Sequence, residues 1–261
     1  MNVPSYAYLI KHPDLKTKYS TMMFDLGVRR GWENSPEAFV AGIKDRGYSI
    51  SVNKDVATIL RENGQDLEEV GAIIWSHWHF DHTGDPQTFP TTTDLIVSPG
   101  FKANIMPGYP TDKVSHVDEQ AWLSRELHEI DFTASAGPQR LRIGGFEAYD
   151  FYGDGSFYLL NSPGNAVGHI SALARTTADP HSFVLLGGDI AHDCGELRPT
   201  PYTPLPDIIS PGPLRSKPST FPGSIFLAIH PKRIGRNPFL TQLEVMGGTM
   251  MPWRQCRVSG N

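Results

Sequence analysis

Ile73-Ile74-Trp75-Ser76-His77-Trp78-His79-Phe80-Asp81-His82-Thr83-Gly84 is the stretch that decides how this chain is read. Three histidines and an aspartate crowd into six positions directly after an apolar run. Side chains alternate along an extended segment, so His77 and His79 point the same way and can share one ion. A turn after Phe80 then lets Asp81 and His82 reach a second. Taken one by one, these are ordinary surface or core residues. So many polar groups beside a buried strand, however, are costly unless something pairs with them.

Outward from this stretch, short apolar segments bounded by turn residues recur. Tyr6 to Ile10, Thr21 to Leu26, Val70 to Trp75, Leu95 to Val97, Phe157 to Leu160, Ile170 to Ala174, Phe183 to Leu186 and Ser224 to Ile229 read as strands. Tyr149 to Tyr158 reads as an antiparallel hairpin turning through Gly153-Asp154-Gly155. Helices are expected at Val56 to Glu62, closed by Gly64, and at Asp118 to Ile130, where Trp122, Leu123, Leu127 and Ile130 share a face. Eight prolines between Leu197 and Pro222 exclude a long helix or a central strand there. That loop is either a surface connection or a wall over a site.

At 261 residues the chain is expected to form a single domain over 1–261, with the Pro-rich loop at 197–222 and an atypical C-terminal tail at 231–261. Its 39% hydrophobic and 20% charged residues exclude a disordered or fibrous protein. A net charge of −5 argues against nucleic acid and for a small-molecule substrate. No apolar run approaches the length of a membrane span, so no membrane partner is expected. Cys194 and Cys256 are too few for a disulfide framework, and Met1-Asn2-Val3-Pro4 lacks a basic-then-apolar pattern. Both features point to the cytoplasm. Oligomeric state is not legible.

The pattern His-x-His-x-Asp-His resembles the signature of the metallo-β-lactamase superfamily, and later pieces follow in the family's order. Phe24-Asp25-Leu26-Gly27 is similar to its early strand and turn, Gly168-His169 to the segment of its next histidine, and Gly187-Gly188-Asp189 to the strand end of its bridging aspartate. The resemblance implies an α/β fold, a four-layer αββα sandwich of two mixed sheets with helices outside. It also implies two zinc ions, one on His77, His79 and His169, the other on Asp81, His82 and His230, with Asp189 bridging. Without the resemblance, His169 is a polar loop residue and Asp189 a capping residue. His230 ends the apolar run Phe226 to Ile229, although Pro231-Lys232-Arg233 stands where relatives carry an acidic residue. Relatives also begin with further strand and end in a helix, whereas Gly235 to Asn261 has no helical period, so altered termini are expected.

Tyr6-Ala7-Tyr8-Leu9-Ile10-Lys11-His12-Pro13 and Gly188-Asp189-Ile190 resemble the lactonase branch of the family and lactonase-like and lactamase-like proteins of fungi. A pair of zinc ions brings the pKa of a shared water near neutrality, so hydroxide is available as nucleophile. The expected reaction is opening of a cyclic ester, with Asp81 and Asp189 in catalytic positions and Asp189 passing the released proton. His192 stands where bacterial lactonases place a tyrosine; it is expected to contact the substrate and to protonate a leaving group. Phe80 matches a pocket-lining aromatic, while Trp78 packs. Alternatives are a lactam or cyclic carbamate such as a benzoxazolinone, a thioester, and a non-catalytic remnant that binds a metabolite. A nuclease ranks last because no basic stripe is present.

Overall fold

The computed structural model describes residues 4–132, 139–192, 199–210 and 220–228. The chain divides into two compact units, Met1–Ile190 and Ala191–Asn261.

The first unit holds two five-stranded sheets. In the first, Tyr8–Lys11 (β1) runs antiparallel to Thr21–Phe24 (β2), and Ala72–Ile74 (β3), Asp94–Val97 (β4) and Leu127–Glu129 (β5) follow in parallel. Every residue of β2, β3 and β4 is buried, as parallel strands covered on both faces require. The period of two splits them cleanly. Met22, Phe24, Ala72, Ile74 and Ile96 face the second sheet, and Met23, Ile73, Leu95 and Val97 face the opposite way.

The second sheet is a meander of Arg140–Ile143 (β6), Phe146–Asp150 (β7), Phe157–Asn161 (β8), Ile170–Ala178 (β9) and His181–Leu186 (β10). Phe157, Leu159, Ile170, Ala172 and Leu186 meet the first sheet in one cluster. Truncating a fully buried ring such as Phe157 to alanine costs about 3–5 kcal/mol. Whereas two mixed sheets are expected, this one is antiparallel throughout, because its short hairpin connections need no crossover.

Helices cover the outer face of the first sheet. Ala57 and Leu60 of Val56–Glu62 (α2) and Ala121 and Trp122 of Gln120–Leu123 (α4) join Met23, Ile73 and Leu95 there. Asp55 caps α2, its carboxylate accepting from Thr58 N at 2.7 Å. A helix that the sequence reading omits, Glu37–Asp45 (α1), packs Phe39, Val40 and Ile43 against Trp32 and Phe80. Sheets facing each other with helices outside make an α/β sandwich.

Two expectations are corrected. The helix at Asp118 to Ile130 shrinks to α4, and Leu127 pairs with Leu95 in β5 instead. Arg125 fixes the break, its guanidinium donating to the carbonyls of Pro86, Pro90 and Thr93 at 2.7–3.2 Å. In the second unit, Gly223–Ala228 is a 3-10 helix and not a strand. The short ladder of Ile208–Ile209 (β11) with Phe221–Pro222 (β12) is extended by one backbone bond, Gly223 N donating to Asp207 O at 2.8 Å.

Candidate metal centre

The chain leaves β3 at Ile74 and is stitched into place from three sides. Trp75 N donates to Ile96 O at 3.0 Å, Ile170 N to Ser76 O at 2.9 Å, and Leu26 N to His82 O at 2.8 Å. Phe80–Thr83 (α3) is one helical turn, closed by His82 N and Thr83 N on His79 O at 3.0 and 3.2 Å. That turn brings Asp81 and His82 round beside His77 and His79. Trp75 Nε1 donates to Thr83 O at 3.0 Å and clamps the far end of the loop.

Two donor groups result. His77, His79 and Asp189 form one, and Asp81, His82 and Asp189 the other; within each, the ligand atoms lie within 4.8 Å of one another. Asp189 belongs to both. Its Oδ1 is 3.1 Å from His82 Nε2 and its Oδ2 is 3.7 Å from His77 Nε2. Imidazole nitrogen and carboxylate oxygen at this spacing is the donor chemistry of zinc and its neighbours.

The histidines are oriented from behind by Asp25, which the sequence reading placed in a turn without giving it a task. Asp25 is 2% exposed and its φ of 58° puts it in the left-handed region. Such a conformation in a residue with a side chain is strained and marks a position where geometry matters. Its carboxylate accepts from Ser76 N at 2.7 Å, Ser76 Oγ at 2.8 Å and His82 Nδ1 at 2.7 Å. Ser76 Oγ in turn lies 3.0 Å from His77 Nδ1. With each Nδ1 directed at this network, both Nε2 atoms point into the site, the arrangement that metal-ligating histidines favour.

Electrostatics agree with a cation there. Burial and the neighbouring imidazoles push His77 far below the usual histidine range, so its ring is neutral and a competent ligand. Burial also lowers His82, but the hydrogen bonds to Asp189 and Asp25 outweigh it and raise the ring to about 10. A proton on His82 Nε2 therefore occupies the place among carboxylates that a divalent ion would take. Burial pushes the Asp81 carboxyl up.

His169 is fully buried beside this centre, with its ring centroid 5.1 Å from that of His77, but it is in neither donor group. Its Nδ1 donates to Ser162 O at 2.8 Å, and its Nε2 accepts from Asp189 N at 2.9 Å. Gly188 makes this close approach workable. It has a φ of 55°, and a Cβ there would meet His169 Nε2 at 2.8 Å. Phe80 packs on Phe39 with centroids 4.9 Å apart and ring planes tilted by 40°, and lines a cleft shared with Arg29, Trp32 and His116. Trp78 packs partly buried against the helical cluster, as expected. His192 is exposed and belongs to the second unit. His230 lies outside the described residues.

Sequence reasoning passed over Asp25, Ser76, Ser162 and Asn165. Position was the available signal: Asp25 ends an apolar strand, Ser76 precedes the first histidine, and Ser162 and Asn165 flank the turn before His169.

A family model described as the metallo-β-lactamase superfamily matches residues 3–98. A gamma-lactamase of Gibberella moniliformis is 68% identical over 218 residues, 84% of this chain and 90% of that protein. This chain belongs to the metallo-β-lactamase superfamily. A gamma-lactamase of Fusarium pseudograminearum is 65% identical over 240 residues, 92% of this chain but 57% of that protein, so the chain spans little more than half of that relative's length. Among solved structures, an N-acyl homoserine lactone hydrolase with N-hexanoyl-L-homoserine at its catalytic metal center matches with a TM-score of 0.43 and 21% identity, over 71% of this chain and 63% of that one. No helix among the described residues is long and apolar enough to cross a membrane.

Proposed function

We propose that this chain is a zinc-dependent hydrolase that opens a small cyclic amide of the γ-lactam type. The observation that carries the reading is the pair of three-residue donor groups sharing Asp189. The two gamma-lactamases at 65% and 68% identity support an amide ring over the cyclic ester that the sequence reading favours. Divalent ions bound here supply Lewis-acid polarisation and an activated water.

Residues of the chain do the rest. His77, His79, Asp81, His82 and Asp189 would hold the ions, with His169 beside them as the further ligand candidate. Asp25 and Ser76 keep the Nε2 atoms of His77 and His82 turned inward. Asp189 accepts the proton released as water adds to the ring carbonyl. The ring C–N bond then breaks and the leaving nitrogen takes that proton, giving an open-chain amino acid. Phe80 is the candidate wall that seats the ring.

Metal content of the purified chain, with ring opening measured on a γ-lactam and on a γ-lactone of matched size, tests the reading. Two equivalents of zinc, faster lactam turnover, and loss of both metal and activity in Asp189→Ala are expected. A chain that holds no zinc, or opens neither ring with metal loaded, overturns it.

A further inference from the structure

A buried chain of hydroxyls crosses the ends of three strands on its way to the metal centre. Ser171, in β9, donates from Oγ to Gly187 O just past β10 at 2.9 Å, and its Oγ lies 2.8 Å from Ser162 Oγ just past β8. Ser162 Oγ lies 3.0 Å from His169 Nδ1. All three side chains are buried, so solvent does not compete for their hydrogens. Among the described residues, Ser162 Oγ has no hydrogen-bond partner besides these two.

Its last member sets the direction of the chain. A carbonyl only accepts, so the Ser171 hydrogen goes to Gly187 O. Ser171 Oγ is then the acceptor for the Ser162 hydrogen, and Ser162 Oγ the acceptor for a hydrogen on His169 Nδ1. The same N–H reaches the Ser162 carbonyl at 2.8 Å. On the other side of the ring, the Asp189 backbone N–H meets Nε2 at 2.9 Å, which requires a lone pair there.

We propose that Ser162 and Ser171 are positioning residues for His169. Their relay holds the ring with its hydrogen on Nδ1 and its Nε2 lone pair on the side of Asp189, the form a ligating imidazole takes when it is hydrogen-bonded from behind. It also ties that ring to Gly187, two residues before the aspartate that both donor groups share. One consequence separates such a relay from simple packing. In Ser171→Ala the Ser162 hydroxyl loses its acceptor and turns its hydrogen toward His169 Nδ1, which favours the ring form with hydrogen on Nε2. With both serines replaced, only the Ser162 carbonyl faces Nδ1, and the original form returns. The double variant is then nearer the wild type than Ser171→Ala alone, the reverse of what two packing losses give.

This inference rests on the reading of the centre as a metal site, and the test separates the two. Imidazole nitrogen NMR shifts of the metal-free full-length protein, with cobalt(II) titrations beside them, are recorded for the wild type, Ser171→Ala, Ser162→Ala and the double variant. The wild type and Ser162→Ala are expected to carry the His169 hydrogen on Nδ1; a wild-type ring with its hydrogen on Nε2 overturns the proposal without any variant. Ser171→Ala is expected to show a population with hydrogen on Nε2 and to bind one cobalt about 10–100-fold more weakly. The double variant is expected to recover the wild-type ring spectrum. A Ser171→Ala protein with wild-type ring spectrum or wild-type cobalt affinity overturns the relay, as does a double variant whose ring is more perturbed than that of Ser171→Ala. A wild-type chain that takes up no cobalt refutes the metal reading itself, and the ring spectra still decide the relay.

Discussion

Asp25 Oδ2 lies 2.7 Å from His82 Nδ1, and the same carboxylate holds the backbone and the hydroxyl of Ser76. One buried acid therefore sets the direction of both His82 and, through Ser76 Oγ, His77. Replacing Asp25 by alanine strands three donors in a dry interior. We expect metal affinity to fall about 10–100-fold and stability to drop by about 3–5 kcal/mol. Zinc titration and urea unfolding of Asp25→Ala check this; an affinity equal to wild type would sink it.

Gly188 is the second position where a small change reaches the centre. With its φ of 55°, a methyl group added at Gly188 would come within 3.0 Å of Ser76 Oγ, which leaves no space for it. Gly188→Ala should cost about 1–3 kcal/mol through strain and lower metal content along with it. Thermal melting read beside metal analysis decides; a stable, fully loaded variant would contradict the packing described.

At the opposite end of β4, Asp94 gathers Lys18 Nζ at 2.6 Å, Tyr19 OH at 2.8 Å and His128 Nε2 at 3.2 Å. Burial works to raise the Asp94 carboxyl, but these hydrogen bonds and the Lys18 charge together hold it below the usual range. A depressed acid stabilises the fold above its unfolded pKa of about 3.9, and that contribution is lost as pH falls through the lower folded value. Burial and the bond to Asp94 raise Tyr19 to about 12. Its contribution is complete below the unfolded value of about 10 and disappears as pH climbs toward the folded one. Asp94→Asn should flatten both limbs of a stability–pH curve, measurable by unfolding at pH values spanning each window.

Phe80 divides its ring between Phe39 and the cleft it shares with Arg29, Trp32 and His116, and the proposed function makes it the wall that seats the ring. In Phe80→Ala, KM for a ring substrate should rise by more than kcat falls, since uniform binding is what a wall supplies. Steady-state kinetics showing kcat reduced with KM unchanged would assign Phe80 a different part.

Much of this was legible in the residues themselves. The short apolar runs at β2 to β4 and the density of donors from His77 to His82 announce buried strands ending at a candidate metal centre, because both patterns are local. What escaped depends on distance. Asp25 and Ser76 are 51 residues apart, and nothing in either neighbourhood reveals that one carboxylate serves both. Asn165 looks like a turn residue until the fold sets it against His77, 88 positions away. The helix read over Asp118 to Ile130 failed for the same reason. Its apolar spacing is genuine, but Leu127 is claimed by pairing with Leu95, a contact no local period encodes.

Asp189 stands in both donor groups, so the two cations would draw on a single carboxylate. Loading is then a linked equilibrium: whatever the first ion does to the charge and position of Asp189 changes the affinity for the second, and the second must change the first by the same factor. One dissociation constant could not describe such a centre; it would take two, and a coupling factor between them.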